Sequence, residues 1–223
     1  ALLKHTTAVS QAMSALYMKA VTEGSSKYER DLTFYTQSAD NHMLKVAASE
    51  LTGGQALSAT WGALKDRLNV EYTPDYEWNV RSDIRRDFRK YQADLYEIVN
   101  QNIALYQQPP LMNMLALTQV ETIIARFFDV STALTGNLSL SLIDREKVDS
   151  PIIGAQFNQI ITDMIKTPFY HQHAKNLSSA HFKWKFIEKT VVNFSNESAH
   201  FLVYATKNNI HKALSMGQEV GVN

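Results

Sequence analysis

Arg81, Arg85 and Arg89 stand four residues apart. On a helix that spacing stacks side chains along one face, and a ridge of forked guanidinium donors suits a carboxylate or a phosphate. Arg86 and Lys90 add to the charge, while Asp83 and Asp87 are interleaved with it. Those carboxylates allow the plainer reading, a solvated face neutralised by near neighbours, which is what charge runs on helical surfaces usually are. Just upstream, Tyr72, Tyr76 and Trp78 make the preceding segment aromatic, with Trp61 not far before it. Apolar walls with a few polar fixers are the make-up of a small-molecule pocket between helices, and equally of a plug at a bundle end. The candidate ligand-binding set is therefore Arg81, Arg85, Arg89, Tyr72, Tyr76 and Trp78, and an anion is the ligand form the arginines would favour.

Metal and acid-base chemistry have thinner support. Glu197 and His200 form a Glu-x-x-His step, the spacing used by carboxylate-bridged di-iron bundles. Such a centre needs a second step of the same kind, and no other glutamate here has a histidine three residues later. His171, His173 and His181 could ligate zinc or copper only if the segment between them folded back, and no nearby cysteine or carboxylate completes a tetrahedral set. Gly-x-Ser-x-Gly, phosphate-cradling glycine loops and His-Glu-x-x-His are all missing. The expectation is a non-catalytic chain with no catalytic residue, no metal and no cofactor.

The elements that must carry these residues are helical. Trp184, Ile187, Val191, Phe194, Ser198, Phe201 and Ala205 step by threes and fours, the spacing of a bundle seam. The same stepping occurs at Ile84, Phe88, Tyr91, Leu95, Ile98, Asn102 and Leu105, and again at Tyr28, Leu32, Tyr35, Ala39, His42 and Val46. A first helix, residues 1–23, carries Leu3, Thr6, Ser10, Met13, Tyr17 and Ala20 on one face. Gly24 and its serine neighbours then make either a kink or a tight turn. Further helices are expected over residues 27–51, 55–68, 78–107 and 111–134, the last two joined at Pro109-Pro110 into an antiparallel hairpin. Asp149 or Ser150 before Pro151 reads as an N-cap that opens another helix. The last, residues 178–216, would be roughly 55 Å long at the α-helical rise. Within its start, Phe182, Trp184 and Phe186 read as core.

Together these predict an all-α chain, an elongated antiparallel helical bundle. It would form one domain over residues 1–223, either a single bundle or two stacked bundles sharing long helices. Lysine plus arginine equals aspartate plus glutamate at 22 each, so no global field holds nucleic acid. No apolar run near 18 residues spans a membrane, and cysteine is absent, which removes disulfides and thiolate chemistry.

The pattern as a whole resembles the all-helical extracytoplasmic sensor domains of bacterial chemoreceptors and sensor histidine kinases. The likeness rests on the first stripe, from Leu3 to Ala20, the last, from Trp184 to Ala205, the helical hairpins between them, and ends that look cut from a longer chain. It implies a periplasmic domain of an inner-membrane protein, joined to the membrane through segments outside these residues. It also implies a homodimer, and a small-molecule ligand or a periplasmic binding protein as partner. A soluble helical adaptor that binds another protein is the alternative. A metal-dependent helical enzyme using Glu197, His200 and the three other histidines is a third.

Overall fold

The computed structural model of the chain describes residues 1–49, 53–68, 80–133, 140–194 and 199–215. Those residues form nine α-helices and one 3-10 helix, with no strand among them. The expected all-α bundle is what the chain forms. Its contacts separate two compact units, Ala1–Gln101 and Asn102–Asn223.

The first unit contains α1 (Leu2–Val21), α2 (Ser26–Ala47), α3 (Gly54–Leu68) and α4 (Ser82–Gln101). Residues 5 to 18 of α1 contain no aspartate, glutamate, lysine or arginine, and the helix is buried on nearly every side. Its hydroxyls survive burial because they donate back to carbonyls one turn earlier: Thr6 to Leu2 at 3.0 Å, Thr7 to Leu3 at 2.8 Å and Ser14 to Ser10 at 3.0 Å. The helix ends in a Schellman turn. Glu23 takes a left-handed φ of 52° and Gly24 one of 87°, while the Gly24 N–H donates to the Lys19 carbonyl at 2.9 Å and the Glu23 N–H to that of Ala20 at 3.1 Å. The Gly24 segment is thus a tight turn, and α2 packs along α1 as the second arm of a hairpin. From α2, Tyr28, Leu32, Ala39 and Val46 are buried, as are Ile84, Phe88, Tyr91 and Leu95 from α4.

The second unit holds the short α5 (Ile103–Tyr106), α6 (Met112–Ala133), α7 (Leu140–Lys166), a 3-10 turn (Pro168–His173), α8 (Ala174–Asn193) and α9 (His200–Leu214). Helix α6 packs against α7, α8 and α9, and α8 packs most closely on α9. Gly154 lets α7 approach. A Cβ there would sit 3.3 Å from Val192 Cγ2 and 3.5 Å from Trp184 Cζ2.

Several local expectations need correction. The long final helix is broken: α8 stops where Phe194 adopts a left-handed conformation, φ 51° and ψ 36°, and α9 restarts at His200. With the phase reset, Phe201 and Ala205 face solvent rather than continuing the buried line of Trp184, Ile187 and Val191. Pro151 does not open a helix but lies inside α7. Within the first unit α4 packs on α1 and α3, and within the second α6 packs on α7, α8 and α9. Phe182 and Phe186 are exposed, and only Trp184 of that trio enters the core. Two residues' offset turns a helical side chain about 200°.

Candidate functional site

All four helices of the first unit meet at a recess. Leu16, Lys19 and Ala20 of α1, Leu32 of α2, Arg67 and Leu68 of α3 and Ile84 of α4 line a shallow recess of about 20 Å³, room for about one water, that opens to solvent. The walls are aliphatic because each helix turns its buried stripe inward here, and the polar groups are two cations at the rim. Lys19 pairs with Glu29 at 3.1 Å across the α1–α2 hairpin. Arg67 reaches from α3 to two carboxylates on α4, with Nη2 2.5 Å from Asp83 and Nη1 on Asp87.

The same two carboxylates serve two more arginines. Arg81 donates to Asp83 at 2.7 Å and Arg86 to Asp87 at 2.9 Å. Partial desolvation raises the Asp83 pKa, but hydrogen bonds from Arg81 and the Ile84 N–H, with the charges of Arg81 and Arg67, outweigh it and hold the carboxyl below its usual range. At Asp87 the Arg86 hydrogen bond leads the same downward shift, helped by Arg67. Three guanidiniums thus share two carboxylates beside the recess.

Of the residues expected to bind a ligand, Arg81 is exposed in this cluster and Arg89 lies further along α4. Arg85 goes elsewhere: it is buried, its Nε donates to the Val80 carbonyl at 3.1 Å, and its guanidinium lies 4.8 Å from the centre of the Tyr17 ring. Tyr72, Tyr76 and Trp78 fall outside the described residues. The residues that periodicity did not single out, Lys19 and Arg67, come from helices far apart in sequence.

Toward the other end of α1, the same four helices hold a buried polar junction. The His5 ring is wholly buried, with Nδ1 2.9 Å from the Ala39 carbonyl and Nε2 2.8 Å from the Tyr91 hydroxyl. A carbonyl only accepts, so Nδ1 carries the proton and Nε2 accepts from Tyr91. Trp61 stacks on Tyr91 and donates through Nε1 to Asp40 at 2.6 Å, and Lys65 bonds the other Asp40 oxygen at 3.1 Å. Burial lowers the His5 pKa to about 4, against the backbone hydrogen bond that raises it, while the nearby His42 lowers it further. His5 is therefore neutral, and it ties α1, α2, α3 and α4 together.

The second unit buries a separate charge cluster. Glu121 of α6 and Lys207 of α9 are both fully buried, 3.4 Å apart, and His211 Nδ1 lies 3.1 Å from the other Glu121 oxygen. The Lys207 ammonium also sits 4.6 Å from the Tyr204 ring centre. A buried pair of this kind contributes little net stability but penalises any register of α9 on α6 that separates it. Of the histidines weighed as ligands, His200 bonds Ser131 at 2.8 Å and stacks on Phe128. His171 and His173 lie on the 3-10 turn and His181 on α8. Among the described residues no group of three histidines or carboxylates is placed to hold a metal ion, and Glu197 lies outside them. Among the same residues no helix is long and apolar enough to cross a membrane.

No protein-family model, curated protein or solved structure matches the chain.

Proposed function

We propose that the chain is the non-catalytic, ligand-sensing helical domain of a bacterial transmembrane signalling protein, periplasmic and dimeric, and that its ligand is a small amphipathic carboxylate. One observation carries the reading: the recess touches all four helices of the first unit and couples aliphatic walls to the cations Lys19 and Arg67. A carboxylate at Arg67 would compete with Asp83 and Asp87 for its guanidinium while its apolar part lies over Leu16, Leu32 and Ile84 at the mouth. Because every helix contributes to the wall, an occupant binds different helix arrangements unequally, and that difference is what moves a conformational equilibrium. Helix displacements of about 1 to 2 Å are enough to pass a signal on.

A thermal-shift screen of octanoate, benzoate and indole acetate against the matching amines and alcohols tests the proposal. An acid present at a hundred times its dissociation constant adds about 2.7 kcal/mol of stability, a shift readily seen in the melt. Arg67→Ala should abolish the acid's effect, and Arg81→Ala should weaken it. Equal stabilisation by amines, or an acid effect that survives Arg67→Ala, would remove the recess as the site.

A further inference from the structure

We propose that the outer face of α8 docks on an anionic lipid bilayer. At 3.6 residues per turn, Leu177, Ala180, Trp184, Ile187 and Val191 occupy one side of this helix and are buried. The opposite side presents Lys175, Ser178, Phe182, Lys185, Phe186 and Lys189, all exposed. Phe182 is 76% and Phe186 64% exposed, among the most exposed large apolar side chains of the protein. They sit one turn apart, with lysines on either side along the stripe.

The stripe carries no acidic residue. Glu188, the one carboxylate on α8, lies off it and is held by the Asn158 amide at 2.6 Å and Lys185 at 2.8 Å. Lys175, Lys185 and Lys189, with Lys185 also paired to Glu188, and two phenyl rings lie on a single strip about 21 Å long at the helical rise, which matches a surface that is anionic outside and apolar just beneath. In a bilayer the rings enter the boundary between headgroups and acyl chains while the lysine stems extend back to the phosphates. A folded acidic protein would have to supply two fitted pockets for rings that protrude from a convex helix. A bilayer needs no complementary shape, which favours it as the occupant.

Sedimentation of the full chain with vesicles tests the assignment. Vesicles of equal parts phosphatidylcholine and phosphatidylglycerol should carry the protein down. Phosphatidylcholine alone should not, and added salt should weaken the binding. Lys185→Gln and Lys189→Gln should each lower the partition coefficient about fivefold, and Phe182→Ser with Phe186→Ser about tenfold. These side chains are solvent-exposed, so melting temperatures should stay within a few degrees of wild type. Phe34→Ser, an equally exposed ring on α2, should bind as wild type. Failure of the wild type to bind the anionic vesicles, or full binding by the double phenylalanine variant, would overturn the proposal. So would a solution dimer that the phenylalanine changes dissolve without any vesicle binding, or an equal affinity for soluble polyglutamate that those changes leave intact.

Discussion

Acidification should strip a defined amount of stability from the first unit through His5 alone. Its ring is neutral in the fold because burial holds its pKa at about 4, whereas an unfolded chain returns it to 6.5. Above 6.5 both states are neutral and the junction contributes fully. As pH falls below 6.5 the unfolded chain takes up a proton that the native state refuses, so stability drops, levelling off once the pH is below about 4. Between about pH 7.5 and 4.5 the loss is about 2 to 3 kcal/mol, a large share of a margin typically about 5 to 15 kcal/mol. His42 and His181 are also lowered by burial and slope the same way, so the informative quantity is a difference between proteins. His5→Gln does not titrate, and its amide can still donate to the Ala39 carbonyl and accept from Tyr91. Urea unfolding followed by tryptophan fluorescence should show the wild type losing about 2 to 3 kcal/mol more than His5→Gln over that window. Parallel curves for the two proteins would refute the buried, neutral histidine.

Other consequences are as direct. Lys207→Met leaves the Glu121 carboxylate buried without its ammonium and should cost about 3 to 5 kcal/mol, while Lys207→Met combined with Glu121→Gln should recover most of it by denaturant midpoint. Glu23→Gly relieves an exposed side chain from a left-handed backbone and should stabilise by about 1 kcal/mol in the same assay. Gly154→Leu drives a side chain into Val192, Trp184 and Ile123 and should cost at least about 2 kcal/mol.

The helices were legible because each amphipathic face repeats at the helical period, and the stripes mark buried lines at Tyr28, Leu32, Ala39 and Val46, from Ile84 to Leu95 and from Trp184 to Val191, whereas Leu105, past the end of α4, is exposed. Their ends were harder to place. The break at Phe194 has neither glycine nor proline to announce it, and the numerical stripe runs on to Ala205 although the chain does not. Pro151 looks like a helix start because proline suits that position, yet it costs a helix interior only one hydrogen bond and a local clash, which α7 absorbs. Phe182 and Phe186 could have been placed correctly from the two-residue offset to Trp184. At the site, equal four-residue spacing made Arg81, Arg85 and Arg89 look equivalent. Arg85 follows directly on Ile84 and precedes Phe88 by three residues, which turns it toward α1 and the Tyr17 ring. Lys19 and Arg67 meet at the recess through tertiary packing of α1 on α4 and of α4 on α3, and periodicity along one helix carries no information about its neighbours. Glu121 was visible as a lone charge in an apolar stretch. Its partners Lys207 and His211, more than eighty residues away, were not.

Sensing, as distinct from binding, is tested most directly by a distance measured inside the first unit. The chain has no cysteine, so spin labels can be placed cleanly at Arg30→Cys on α2 and Ala63→Cys on α3, both exposed in the wild type. With the acid that most raises the melting temperature at saturation, the account predicts a displacement of about 1 to 2 Å between the labels, absent when Arg67→Ala is added. An acid that stabilises the protein through Arg67 and leaves the distance distribution unchanged would contradict it.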